Sequence, residues 1–184
     1  MIETKMQINS VWHITVSGRS LRINSPDDIP SSNNAIVFTK KIESDFRVSE
    51  KIRIALKKTA SLMKIRKYLV LSEKNSVTTG PFTIKAADIN ADGAEVNILI
   101  NDRLYFLTFV PPIIRLLHHD FIVLIPASPG YFNRDDIKEV VNFLQRSSTK
   151  EAVLSGEFSK EWLPAVSRVC KCSINDDVLQ NKLF

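Results

Sequence analysis

The chain has 184 residues, 44% hydrophobic and 24% charged, with a formal net charge of +5. Those values suit one globular domain, or one domain with a small appendage, and exclude a coiled coil, a collagen-like repeat, an acidic disordered tail and a disulfide mini-protein. Eight prolines against five glycines exclude a Gly-rich linker.

Residues 6–24 read as two strands around Gly18, and Ser25 to Asn34 is dense in turn formers. The opening lacks the continuous apolar run of a signal peptide. Ala35 to Thr39 is a short apolar strand. The next segment carries the charge. Residues 49–85 hold nine basic and two acidic residues, whereas residues 86–184 hold ten basic and thirteen acidic.

Within that island, Ser49 is placed as an N-cap and Glu50 in the first turn of a helix running to Lys67. Lys51 to Lys67 has no Gly, Pro or acid. At about 100° per residue, Ile52, Leu56, Thr59 and Met63 share one face, and Arg53, Lys57 and Lys64 form a stripe beside it. Arg53, Lys57, Lys58, Lys64 and Lys67 are therefore the candidate contacts to a nucleic-acid backbone, which cations bind by releasing counterions. A solvated basic face packed by its apolar side explains the same pattern, as does an acidic protein partner. A membrane-surface helix fits less well, because the apolar face has no Trp or Phe anchor.

Tyr68 to Leu71 reads as a buried strand, and residues 81–110 as an antiparallel meander. Asp92-Gly93 marks one hairpin and Asn101-Asp102 a second turn. Leu104 to Val110 is apolar on both faces, which predicts a central strand with the basic helix as one cover. Tyr105 to Leu117 is too short to span a bilayer and is broken by Pro111 and Pro112. Phe121 to Ile125 is a further apolar strand. A turn over Pro126 to Gly130 leads to a helix beginning near Asp135-Asp136. Glu151 to Leu154 is a short strand, and helices are expected over Lys160–Lys171 and Asp176–Leu183.

Chemical motifs are sparse. His118-His119-Asp120 is the one local group of metal-capable side chains, but neighbouring imidazoles on a strand point apart. Cys170 and Cys172 lack the spacing of a zinc knuckle and read as small apolar side chains in a helix of a cytoplasmic, reducing-compartment protein. No metal or cofactor is expected. The strand–turn–helix unit at 121–146, with Ser128-Pro129-Gly130 in its turn, resembles the Gly/Pro-turn unit of class I glutamine amidotransferase-like domains. Pro-Ala-Ser-Pro-Gly stands in place of a Gly-rich turn, so no catalytic role follows from it. Ser159 to Leu183, through Trp162, Leu163, Val166, Cys170, Ser173 and Leu179, resembles the first helix-turn-helix of AraC-type regulators, which implies DNA binding. A helical subdomain burying Trp162, Leu163 and Val166 accounts for the same residues.

The expected fold is α+β: a mainly antiparallel sheet covered by the basic helix 49–67, with a β-rich core over 1–130 and a helical region over 131–184. The expected function is non-catalytic association with nucleic acid. The alternative is a protein–protein interaction or assembly subunit with an acidic protein partner. An enzyme assembled from His118, Asp120 and Ser128 is the third reading.

Overall fold

In the computed structural model, residues 6–10, 12–24, 34–42, 50–90, 95–112 and 121–175 are described. The chain forms two compact units, Met1–Asn101 and Asp102–Phe184.

The first unit opens with β1 (Met6–Ser10), β2 (His13–Val16) and β3 (Arg19–Ile23), paired antiparallel. Ser17 and Gly18 both have positive φ (51° and 70°), the geometry of a two-residue type I′ hairpin that follows the strand twist. The chain then continues in parallel through β4 (Ala35–Phe38), β5 (Ile52–Ala55) and β6 (Leu69–Val70), completing a six-stranded sheet in sequence order. All four residues of β4 are buried, as a parallel strand covered on both faces requires. On one face Ile36, Phe38 and Ala55 form a core cluster with Ala60 of the short helix α1 (Lys57–Leu62). Strands β7 (Ser76–Thr79), β8 (Phe82–Ile89) and β9 (Val96–Ile100) form an antiparallel meander. The β7–β8 turn is Gly80-Pro81, with Gly80 at φ 55° as a type II′ hairpin needs at its first position.

The second unit is a parallel ladder of β10 (Leu104–Phe106), β11 (Ile122–Pro126), β12 (Glu151–Ser155) and β13 (Lys171–Ile174). Helix α2 (Ile137–Arg146) connects β11 to β12, and α3 (Ser159–Val166) connects β12 to β13. A 3-10 turn at Arg134–Asp136 precedes α2, where Asn133 N donates to Asp136 Oδ2 at 2.7 Å in a capping box.

Several elements match their sequence signals. The β4 strand, the antiparallel pair β8 and β9, β11, the entry to α2, and β12 all fall where the sequence puts them, while Asp92-Gly93 lies outside the described residues. The architecture does not. The chain is sheet-rich with two mixed sheets, and parallel ladders join β3 through β6 and β10 through β13. The expected mainly antiparallel sheet covered by a basic helix is thereby corrected.

The basic helix 49–67 itself does not form. Its first half is β5, in which Ile52-Arg53-Ile54-Ala55 alternates with period two between neighbours β4 and β6. Only six residues, Lys57–Leu62, are helical. Helix propensity differs by tenths of a kcal/mol per residue, so burial in a central parallel position outweighs it. Likewise the region 131–184 is not simply helical, because β12 and β13 alternate with α2 and α3. The predicted helix over Lys160–Lys171 ends at Val166, and β13 begins at Lys171. That strand also rules out the helix-turn-helix resemblance, and it places Cys172 on a strand. Trp162 and Val166 are buried, while Leu163 is only partly so. The predicted buried strand at Tyr68–Leu71 shrinks to Leu69–Val70, and both residues are exposed.

Candidate active site

Carboxyl ends of parallel strands are where open α/β sheets present ligand-binding groups, because the chain leaves the sheet there in loops. In the first unit that edge begins with Asn24, just past β3, at φ 51°. Its side chain takes both ends of one partner: Nδ2 donates to Thr39 Oγ1 at 2.7 Å, and Oδ1 accepts from Thr39 N at 2.8 Å. Asn24 N donates to Val37 O at 2.8 Å, and Thr59 Oγ1 of α1 donates to Thr39 O at 3.4 Å. Thr39 is fully buried. The backbone from which Lys40 emerges is therefore held from two directions.

Lys40 is half-buried, and its charge interacts with that of Glu95, which stands immediately before β9. Burial pushes the Lys40 ammonium below its ordinary value, and the Glu95 carboxylate partly opposes that shift. Burial pushes the Glu95 carboxyl above its ordinary value, and Lys40 partly opposes that one. Both shifts have burial as their larger cause, and the attraction between the two charges opposes each of them.

The corresponding edge of the second unit is closed on itself. Ser128 N donates to Pro126 O at 2.8 Å, and Ser128 O accepts from Tyr131 N and Phe132 N at 3.2 Å each. Phe158 N donates to Ala127 O at 2.8 Å, and Ser159 N to Gly156 O at 3.1 Å. Gly156 adopts φ 111°, and a Cβ there would lie 2.8 Å from Ala127 O. The backbone N–H groups of this turn serve packing, so it does not make a phosphate cradle. His118, Asp120 and the rest of 113–120 lie outside the described residues, as do 25–33 and the segment 176–184 expected to be helical.

The five cations picked from the sequence do not form one stripe. Arg53 is on β5, and its guanidinium serves the fold: Nε donates to Glu50 O and NH1 to Arg66 O, each at 3.1 Å. Lys57 and Lys58 are on α1, while Lys64 and Lys67 sit beyond it at φ 55° and 54°. All four lysines are exposed. Glu50, expected in a first helical turn, is a buried carboxylate 3.6 Å from Arg22 Nε. Sequence reasoning missed Lys40 and Glu95, since a charge at a strand end is ordinary and nothing local links residue 40 to residue 95.

No family model matches the chain, and no curated protein matches it. Solved structures do. The chain is similar to the metallo-β-lactamase fold protein YhfI from Bacillus subtilis, with TM-score 0.61 and 10% identity over 88% of this chain and 87% of that one. It is also similar to a putative Zn-dependent hydrolase of the metallo-β-lactamase superfamily from Thermotoga maritima, with TM-score 0.58 and 10% identity over 93% and 97%. A variant of the CmlA β-hydroxylase gives TM-score 0.60 and 8% identity over 95% of this chain and 52% of that one.

The likeness is one of fold, and that fold is metallo-β-lactamase-like. It overturns the expectation of a non-catalytic nucleic-acid-associated protein, because the neighbours with this fold are described as a putative Zn-dependent hydrolase and a β-hydroxylase. The helix meant to meet the nucleic acid is also absent.

Zinc, named for the Thermotoga neighbour, finds no matching donor set among the described residues. No three His, Cys, Asp or Glu side chains converge there. Glu95 interacts with an ammonium and Glu50 with a guanidinium. The Cys172 thiol is pushed up to about 12 by burial and by Cys170, and burial raises Cys170 as well. These two thiols have no third His, Cys, Asp or Glu beside them to complete a ligand set among the described residues. Among the described residues no helix is long and apolar enough to cross a membrane.

Proposed function

We propose that the chain is a hydrolytic enzyme whose reaction centre lies at the carboxyl end of β4, with Lys40 and Glu95 as its catalytic pair. The observation that carries this reading is the half-buried Lys40–Glu95 couple beside a residue, Thr39, fixed by Asn24 and Thr59. The fold shared with a hydrolase supports the reaction class.

In this scheme the Glu95 carboxylate takes a proton from water while the oxygen adds to the electrophilic carbon of a small ester or amide. The Lys40 ammonium pairs with the oxyanion that forms. As the tetrahedral species collapses, the bond to the leaving group breaks. The Glu95 carboxylic acid returns its proton to the leaving group, restoring the carboxylate. Two free thiols, Cys170 and Cys172, support a reducing, cytoplasmic setting.

The test is turnover of a panel of chromogenic esters, lactones and anilides, with a chelator present, by wild type, Lys40→Met and Glu95→Gln. We expect chelator-resistant turnover that falls about 10²- to 10⁴-fold in Glu95→Gln, the usual span for a lost general base. Absence of wild-type turnover, or equal turnover in all three proteins, would sink the proposal.

A further inference from the structure

The three large hydrophobic side chains exposed among the described residues are Leu62, Leu69 and Val70, at 53%, 47% and 43%. They fall within one nine-residue stretch. Scattered exposed apolar residues are ordinary, but a concentration of them marks a contact surface. The fourteen residues 57–70, which include that stretch, hold five exposed cations and no acid: Lys57, Lys58, Lys64, Arg66 and Lys67.

The backbone there is held in a fixed form. Lys64 and Lys67 occupy the left-handed region at φ 55° and 54°, where non-glycine residues are uncommon. The Arg53–Arg66 hydrogen bond ties the loop to β5, and Met63, Ile65 and Tyr68 pack on the Ile36–Phe38–Ala55–Ala60 cluster. The loop is thus pinned by its apolar side, with its cations in solvent.

Among the described residues β6 is the terminal strand of its sheet. Because Leu71 N donates to Ala55 O at 2.9 Å, parallel alternation turns the Val70 carbonyl outward. That carbonyl is already taken by Asn75 Nδ2 at 2.7 Å. The outward acceptor of this edge is therefore occupied, and the edge carries Leu69 and Val70, exposed to either side of the sheet as consecutive strand residues.

We infer that the sheet edge at β6, with the adjoining basic residues 57–67, docks an acidic peptide segment with aliphatic side chains, supplied by a second protein. Charge complementarity selects the acidic partner, and the exposed Leu62, Leu69 and Val70 select one that also brings aliphatic groups. Nucleic acid fits less well. Its unpaired bases stack on aromatic rings, whereas this edge exposes aliphatic side chains, Tyr68 being partly buried against the core cluster. The inference does not rest on the proposed catalytic pair.

The test is fluorescence anisotropy of a labelled decapeptide of alternating Glu and Leu, from about 50 to 200 mM salt, over which screening steepens. Its controls are the same peptide with Lys for Glu and a single-stranded oligonucleotide. Two variants isolate the contributions: Leu69→Ser/Val70→Ser, and Lys64→Asn/Lys67→Asn, since Asn tolerates positive φ. Thermal melts establish that each remains folded.

We expect salt-sensitive binding of the acidic peptide, weakened at least tenfold in both variants, with the basic peptide not bound. No binding at the low-salt end would overturn the inference. So would binding unchanged in the Ser variant, or an oligonucleotide bound more tightly than the acidic peptide.

Discussion

Arg22 Nε lies 3.6 Å from Glu50 Oε1, with the two side chains only 3% and 1% exposed. Arg22 comes from β3, and Glu50 from the approach to β5, two strands away across β4. In its row across the sheet Arg22 is flanked by His13 on β2 and Ile36 on β4. This buried ion pair sets how the chain enters β5.

Removing one member of such a pair takes a counterion from the other at a site that water scarcely reaches. Glu50→Gln is expected to cost about 3–5 kcal/mol in urea unfolding, and Arg22→Met a similar amount. The double variant Arg22→Met/Glu50→Leu is expected to recover most of that loss. A double variant as unstable as the sum of the two singles would show that the pair does not act as a unit.

The pH dependence of the proposed reaction follows from the directions of two shifts. Glu95 must be ionised to act as base, and its carboxyl is raised above 4.5, so the acid limb of kcat/KM lies above that value. Lys40 must be protonated, and its ammonium is lowered below 10.5, so the alkaline limb lies below that value. Glu95→Gln should abolish the acid limb and Lys40→Met the alkaline one. Limbs at unshifted carboxylate and ammonium values would remove these residues from the mechanism.

The same shifts make a stability statement. A raised carboxyl favours the fold below its ordinary value, and that contribution is lost as pH rises through the raised one. A lowered ammonium favours the fold above its ordinary value, and that contribution is lost as pH falls through the lowered one. Near neutrality both charged forms therefore cost stability. Lys40→Met/Glu95→Gln should be at least as stable as wild type by thermal melting while losing activity. A lower melting temperature for the double variant would mean the pair holds the fold together.

Asn24 should be a positioning residue acting through Thr39. Asn24→Ala removes two hydrogen bonds to Thr39, and because the backbone is at φ 51° the alanine also meets left-handed strain. The expected loss is about 1–3 kcal/mol, with Asn24→Gly recovering the strain component only. Both variants should lower kcat more than they raise KM, because Lys40 loses its fixed origin. A purely structural role would lower the melting temperature and leave the kinetics of the folded fraction unchanged.

Gly156→Ala tests the β12–α3 turn. The added Cβ meets Ala127 O at 2.8 Å and Ser128 Cβ at 2.9 Å, at a φ of 111°. Destabilisation of about 1–3 kcal/mol from the backbone conformation alone is expected in urea unfolding. A neutral outcome would show that the two chain segments separate easily there.

Local rules located many elements. Ala35–Phe38 and Ile122–Pro126 are runs too apolar to face water, Gly18 stands in a turn between strands, and Asp135-Asp136 mark a helix entry. They failed at Ile52–Ala55, where a four-residue alternation lies inside a longer stretch of good helix formers. The deciding fact is that β4 and β6 flank it, and no local pattern contains that.

Composition and charge order by themselves determined that the positive charge is concentrated in residues 49–85 and that the apolar runs become strands. Tertiary structure decided the parallel connection of β3 through β6, the burial of Glu50 against Arg22, and the interaction of Lys40 with Glu95. The physical reason is range. Turn chemistry and hydrophobic periodicity act over a few residues and are written in the order of the chain. Parallel pairing and charge partnership between residues as far apart as 40 and 95 arise only when burial brings distant segments to one edge of the sheet.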